Sequence, residues 1–100
     1  MTLLALGLNH KTAPIDVRER LSFGPDIVVG ALRSLAEQAG AGEAVIVSTC
    51  NRTEIYCAGD DLEGEPLRQW VSRFHGVDGA LVQPYLYAYR DKEAVSHLFE

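Results

Sequence analysis

The chain has 100 residues, which suits one small domain, because two separate cores would each have to fold from about 50 residues. Apolar residues make up 47% and charged residues 23% of the sequence. This composition excludes a disordered chain, a coiled coil and a collagen-like repeat. The formal net charge of -5 argues against general nucleic-acid binding by this domain alone.

The N-terminal segment and the cysteine content indicate a cytoplasmic protein. Residues 1–8 are mostly apolar but have no basic n-region, so they make a poor signal peptide and are better interpreted as a buried strand. No apolar run approaches the ~20 residues that span a bilayer, so no membrane association is expected. A secreted domain of this size usually has more cysteines than Cys50 and Cys57. We therefore expect both thiols to be reduced.

In the first half of the chain, the spacing of apolar residues predicts two helices between two strands. A strand over Leu3–Leu8 ends at a polar loop, and a short helical segment over Ile15–Leu21 follows. A longer helix has Pro25 in its first turn and ends at the glycines of segment 40–42. The β-branched run over residues 43–49 predicts the second strand.

The second half begins with a third strand over residues 53–58. Only residues 50–52 separate it from the second strand, so the two strands are expected to form a tight hairpin. An amphipathic helix over residues 66–76 and a last strand over residues 85–89 come next. Asp91 is expected to N-cap a final helix. The apolar residues of that helix are Ala94, Val95, Leu98 and Phe99.

This order of elements predicts an α+β fold of the ferredoxin-like, split βαβ class. Such a fold has a four-stranded antiparallel sheet with two helices on one face, here with an additional C-terminal helix. All residues, 1–100, are assigned to a single domain. Because the first and third strands of this fold are adjacent and antiparallel, residues near His10 are expected to approach Arg52 and Thr53.

The predicted hairpin turn contains the most reactive candidate side chain, Cys50. Arg52 cannot lose its charge and would favour the thiolate, the reactive form of cysteine. Asn51 and the backbone amides of the turn are candidate donors to an oxyanion. The alternative is an inert cysteine that fills space in a turn. Metal binding is not expected, because no second Cys or His lies at ligand spacing. Cys57 is expected to be a small core residue.

The three histidines have different settings. His75 ends a helix, where a cation is favourable, so a structural role is expected. His10 lies in the polar loop after the first strand. His97 lies at the edge of the apolar stripe of the final helix. From the residues alone, His10 and His97 stay candidates for proton transfer.

Four segments of the chain closely resemble the N-terminal catalytic domain of glutamyl-tRNA reductase, in the family's order and at matching spacing over the whole chain. They are GLNHKTAP at 7–14, RERLSF at 18–23, STCNRTEIY at 48–56 and AVSHLF at 94–99. The resemblance implies an enzyme that uses NADPH to reduce glutamyl-tRNA to glutamate 1-semialdehyde, the first step of the five-carbon route to tetrapyrroles. It implies that Cys50 attacks the glutamyl ester to form a thioester, which hydride then reduces.

The resemblance also implies roles for the neighbouring residues. Thr49, Asn51 and Arg52 match the family's substrate-binding run, with Arg52 either holding a carboxylate or stabilising the thiolate. His97 matches a histidine required for full activity, for which proton transfer is a reasonable role. Three further pocket-lining residues are implied in the loop after the first strand, namely Asn9, His10 and Lys11.

The remaining implications concern cofactor and partners. The family's NADPH-binding and dimerisation domains are absent from this chain, the sequence contains no G-x-G-x-x-G, and the native chain is expected to continue past Glu100. A homodimer of the full-length protein is implied, and glutamate-1-semialdehyde aminomutase is a possible partner. Two alternatives stay open: a ferredoxin-like binding or regulatory module without chemistry, and a redox sensor in which Cys50 pairs with Cys57.

Overall fold

A computed structural model describes residues 1–38, 40–60 and 62–98. The strands are β1 (Thr2–Asn9), β2 (Glu43–Ser48), β3 (Arg52–Gly59) and β4 (Tyr87–Arg90). The α-helices are α1 (Ile15–Arg20), α2 (Pro25–Gln38), α3 (Gly64–His75), α4 (Gly79–Val82) and α5 (Lys92–Leu98), and a 3₁₀ turn covers Gln83–Tyr85.

The four strands form one antiparallel sheet in the order β2-β3-β1-β4. This is the strand order of the ferredoxin-like fold, so the predicted fold class is confirmed. The register pairs Asn9 with Arg52 and Leu8 with Thr53. The expected approach of the β1 loop to the start of β3 is therefore confirmed as well.

The apolar core lies between the sheet and helices α2 and α3. It includes the side chains of β1 and β3 that point toward these helices. Trp70 of α3 belongs to this core and is 1% exposed. The indole N–H donates to Ser34 Oγ of α2 at 2.9 Å, which satisfies the one polar group of a large buried ring. The residues of β1 and β3 in this core are Leu4, Leu6, Leu8, Ile55 and Cys57.

An aromatic cluster fixes the segment between α1 and α2 onto this core. Phe23 is buried and contacts the rings of Trp70, Phe74 and His75, the last at a centroid distance of 4.5 Å. His75 packs against Phe23, in keeping with the expected structural role, but its surroundings disfavour the expected cation. Burial lowers the pKa of His75 and favours the neutral ring, and its Nε2 is buried with no hydrogen-bond partner among the described residues.

Helix α5 packs on the opposite face of the sheet, against β4 and β1. A second, smaller cluster of buried residues forms there around Ala5, Tyr56 and Ala94, the last with no exposed surface. In the described ranges, no helix has the length and apolar character needed to cross a membrane.

The structure differs from the sequence expectations near the C-terminus. The last strand begins at Tyr87 and not at Tyr85, because α4 and the 3₁₀ turn occupy the preceding residues. Asp91 precedes α5 but has a left-handed φ of 52°, and its carboxylate accepts from the Leu3 N–H at 3.0 Å. The expectation that the Asp91 side chain caps the N–H groups of α5 is therefore wrong. The carboxylate instead accepts from β1 and connects the start of α5 to that strand. Phe99 lies outside the described residues.

Candidate functional site

The β2–β3 hairpin turn presents Cys50 and Asn51 at its tip. Thr49 N–H donates to the Arg52 carbonyl at 2.8 Å, which closes a two-residue loop. Thr49 Oγ1 accepts from the N–H groups of Asn51 and Arg52, both at 3.2 Å, a pattern typical of threonine in turns. Cys50 is exposed and reduced. The thiol is therefore accessible at a turn of defined shape.

These hydrogen bonds correct one expectation. The backbone amides of Asn51 and Arg52 were candidate donors to an oxyanion, but Thr49 Oγ1 already accepts from both. Thr49 thus has an observed role in shaping the turn, whatever its contact with a substrate.

Cys50 lines a cleft of about 350 Å³ on the side of α1 and α2. The opposite wall is formed by α1 and the segment that joins it to α2. A hydrogen bond connects this segment to the end of β2, since Phe23 N–H donates to Ser48 Oγ at 2.9 Å. Because Phe23 is fixed in the core, this wall is held at a defined distance from the end of β2. Polar residues lining the cleft with Cys50 are Arg18, Glu19, Ser22, Ser48 and Thr49.

On the other face of the sheet, Glu54 is buried in a polar cluster. Its side chain is 2% exposed. Tyr87 Oη donates to Oε2 at 2.7 Å and Tyr56 Oη to Oε1 at 3.2 Å, while His97 Nε2 of α5 bonds to Oε2. Arg52 Nη1 lies 3.4 Å from Oε1. The carboxylate therefore has partners on β3 itself, on β4 and on α5.

Gly7 makes room for this cluster. It lies between Glu54 and Tyr87 in one row across β3, β1 and β4. A Cβ at this position would lie 2.5 Å from the Thr53 carbonyl oxygen and 2.9 Å from Glu54 Cγ. The Tyr87 hydroxyl reaches Glu54 across β1 because the intervening residue has no side chain.

The electrostatics of the cluster favour a charged carboxylate. Burial alone would raise the pKa of Glu54, but the hydrogen bonds from Tyr87 and His97 and the charge of Arg52 outweigh it, and the net pKa is lowered. Burial, and then the adjacent Glu54, raises the pKa of Tyr87. Tyr87 is accordingly a stable donor and Glu54 a stable acceptor at neutral pH.

Arg52 connects the two candidate catalytic residues. It follows the Cys50 turn directly, its side chain is 45% exposed, and its guanidinium pairs with the carboxylate that bonds His97. His97 is 12% exposed, at the edge of the buried cluster. Arg52 and Glu54 thus link the hairpin that carries Cys50 to His97 of α5.

The loop after β1 is built around Asn9. Its Oδ1 accepts from the N–H groups of Lys11 and Thr12 at 2.9 and 3.1 Å, an Asx turn. His10 and Lys11 are exposed in this turn. The pairing of Asn9 with Arg52 brings the loop beside the hairpin, so all the predicted site residues lie near one end of the sheet.

Cys57 is a core residue, as predicted. It is 2% exposed on β3, and burial raises the pKa of its thiol to about 11. It lies five positions along the strand from Arg52, the first residue of β3, a distance of roughly 17 Å at the usual rise per residue. This geometry does not support a redox pair with Cys50.

Sequence reasoning missed Glu54, Tyr87 and Arg18. The pattern of β3 places Glu54 on the face opposite Ile55 and Cys57, and only the position of α5 shows that this face is buried there. One signal was available in the sequence: in the predicted pairing of the first and third strands, a glycine of β1 lies opposite Glu54. Arg18 lies 32 residues before Cys50, and no local pattern relates the two.

Comparison with known proteins identifies relatives over nearly the whole chain. A family model described as glutamyl-tRNAGlu reductase, N-terminal domain, matches residues 6–100. Glutamyl-tRNA reductases of Shewanella frigidimarina and Shewanella oneidensis are 48% identical over 98 residues and 50% identical over 99 residues, each covering 98% of this chain. The chain spans 23% of the length of these relatives.

A solved structure agrees with these matches. The glutamyl-tRNA reductase from Methanopyrus kandleri is similar with a TM-score of 0.73 and 30% sequence identity, over 97% of this chain and 21% of that protein. The sequence and structural similarities therefore agree: the chain belongs to the family of glutamyl-tRNA reductase N-terminal domains.

Proposed function

We propose that this chain is the acyl-accepting catalytic domain of a glutamyl-tRNA reductase, in which Cys50 forms a thioester with the glutamyl group. The observation that carries the proposal is the exposed thiol at the tip of a two-residue turn, beside a cleft and two residues before Arg52, whose guanidinium pairs with the carboxylate that bonds His97. Family membership supports the proposed substrate, glutamyl-tRNA, and with it the proposed pathway, tetrapyrrole synthesis.

The proposed step balances without a further reactant. Cys50 Sγ attacks the glutamyl carbonyl carbon, a C–S bond forms, and the C–O bond to the ribose of the tRNA breaks. The thiol proton ends on the ribose oxygen, and the free tRNA leaves as an alcohol. The product is an acyl thioester, which accepts hydride more readily than an oxygen ester.

His97 is proposed to assist this proton transfer. Glu54 is charged, buried and bonded to Nε2, so it fixes the ring orientation, as a carboxylate does for a catalytic imidazole. Glu54 is a positioning residue in this scheme, while Arg52 either stabilises the thiolate or contacts the substrate carboxylate. Thr49, Asn51, Asn9, His10 and Lys11 are proposed to border the substrate.

NADPH dependence is part of the proposal, but these residues do not fit a dinucleotide site. The described sheet is antiparallel throughout, so it lacks the parallel strand–helix–strand turn that holds a pyrophosphate, and the sequence contains no G-x-G-x-x-G. We assign no step to the cofactor here. The reduction is proposed to need the three quarters of its relatives' length that this chain does not cover.

The partners follow from the same reasoning. With a net charge of -5, this chain is proposed to contact mainly the aminoacylated end of the tRNA, and the tRNA body to be bound elsewhere in the full-length protein. A cytoplasmic location, a homodimer of the full-length protein and contact with glutamate-1-semialdehyde aminomutase stay predictions.

The experiment is acid trapping of labelled glutamate on the protein after mixing with glutamyl-tRNA. Wild type and the control Cys57→Ala are expected to retain label, and Cys50→Ser to lose it. Peptide mapping should place the label on Cys50. Label on Cys57, or undiminished label in Cys50→Ser, would reject the proposal.

A further inference from the structure

The cleft beside Cys50 contains an arginine of its own. Arg18 of α1 lines the same cleft as Cys50. Arg52, in contrast, is paired with Glu54 on the other face of the sheet. Among the residues that the structure shows lining this cleft, Arg18 is the one cationic side chain.

The guanidinium of Arg18 is held in place on one side only. Nη1 donates to the Ala13 carbonyl at 2.9 Å, and the Ala13 N–H itself donates to the Asn9 carbonyl, so the support is part of a hydrogen-bonded turn. Nε is buried and has no hydrogen-bond partner among the described residues. Nε therefore does not face a ligand, but Nη2 is neither buried nor hydrogen-bonded among the described residues, so it can donate to an acceptor that a ligand supplies.

The geometry of arginine specifies the acceptor. A guanidinium presents parallel N–H groups that match the two oxygens of a carboxylate or a phosphate. Glu19 lines the same cleft with the opposite charge. An ester of glutamate carries a γ-carboxylate and an α-ammonium group, so its two charges match the two that border the cleft.

We propose that Arg18 binds an oxyanion of the substrate, a carboxylate or a phosphate, directly beside Cys50. The inference rests on the proposed function for the identity of that substrate. The γ-carboxylate of the glutamyl group and a phosphate of the tRNA acceptor end are the two sources, and they share this chemistry.

The test compares two alkylating reagents that differ in charge. Iodoacetate and iodoacetamide react with the same Cys50 thiolate and release the same iodide, but only iodoacetate carries a carboxylate. The ratio of their rate constants at Cys50 therefore reports an oxyanion site independently of thiol ionisation. We expect Arg18→Gln to lower the ratio by about threefold to fivefold, the size of a partly exposed ion pair.

Matched variants separate this effect from general charge and from folding. Arg20→Gln makes the same change in net charge on the exposed surface of α1 and should leave the ratio of rate constants unchanged. Arg18→Lys keeps the charge and should give a ratio between those of wild type and Arg18→Gln. An unfolded variant would alkylate at Cys57 as well, which peptide mapping detects.

Protection identifies the source of the oxyanion. Glutarate and inorganic phosphate are compared at constant ionic strength for their ability to slow iodoacetamide at Cys50. Stronger protection by glutarate, lost in Arg18→Gln, supports the carboxylate, and stronger protection by phosphate supports the tRNA backbone. Equal ratios in Arg18→Gln and wild type would overturn the inference without affecting the acid-trapping result, because no tRNA is used.

Discussion

The two faces of the sheet are buried in different ways. The face under α2 and α3 is apolar, and its one buried indole N–H is satisfied by Ser34. The face under α5 is smaller and buries the charged side chain of Glu54 among tyrosine, histidine and arginine partners. Burying a charge is costly unless partners compensate. The first face thus buries mainly apolar surface, and the second holds a charged group whose partner Arg52 lies two residues after Cys50.

The reaction rate of Cys57 relative to the exposed Cys50 tests how completely the apolar face is buried. Near pH 7.5 we expect iodoacetamide to modify Cys50 at least about 100-fold faster than Cys57, because a thiol pKa of about 11 leaves Cys57 about 100-fold less ionised than an ordinary thiol and its sulfur is buried. Time-resolved peptide mass spectrometry measures both rates in one sample. Similar rates would show that the core face opens readily or that Cys50 is shielded.

The apolar face could be predicted from sequence because its signals are local. Helical spacing identified α2 and α3, a β-branched run identified β2, the alternation of faces identified β3, and the order of elements then specified the sheet. The 3₁₀ turn and α4 were missed because four residues are too few to show a helical period. The Cys50 turn was predicted for the same local reason, since its residues are adjacent in sequence.

The polar face could not be predicted in this way. Glu54 lies 43 residues from His97 and 33 from Tyr87. The alternation of β3 alone places it only on the face opposite Ile55 and Cys57. Its burial depends on where α5 packs after the last strand. The resemblance named His97, but only the assembled fold shows the carboxylate that holds it.

A substitution at Gly7 tests whether the Glu54 cluster needs a residue without a side chain on β1. Gly7→Ala is expected to destabilise the protein by about 3 kcal/mol, because the new Cβ meets the backbone oxygen of Thr53, which cannot move without disturbing the sheet. Urea denaturation measures the change. Gly30→Ala in α2 is the control: a Cβ there meets nothing within 4 Å, and we expect a gain of about 0.5–1 kcal/mol from helix propensity. Equal effects of the two substitutions would contradict the close approach of Gly7 to the Thr53 carbonyl oxygen and to Glu54.

Glu54→Gln tests the charge with little change of shape. We expect a loss of about 2 kcal/mol at pH 7, since the partners of the carboxylate lose a charged acceptor. Glu43→Gln, at an exposed position of β2, should change stability by less than about 0.5 kcal/mol. Urea denaturation of the two variants and wild type gives both values.

The pH dependence of the Glu54 effect distinguishes charge from packing. The pKa of Glu54 is lower in the folded state than its ordinary value, so the unfolded chain binds a proton at this site first as the pH falls. The stabilisation is therefore fully present above the unfolded pKa of about 4.3, and it is lost as the pH falls through the lower folded value. We expect the difference between wild type and Glu54→Gln to shrink below about pH 4. A difference that persists unchanged into acid would mean that the side chain packs as a neutral group, and the polar face would then hold no charge for His97.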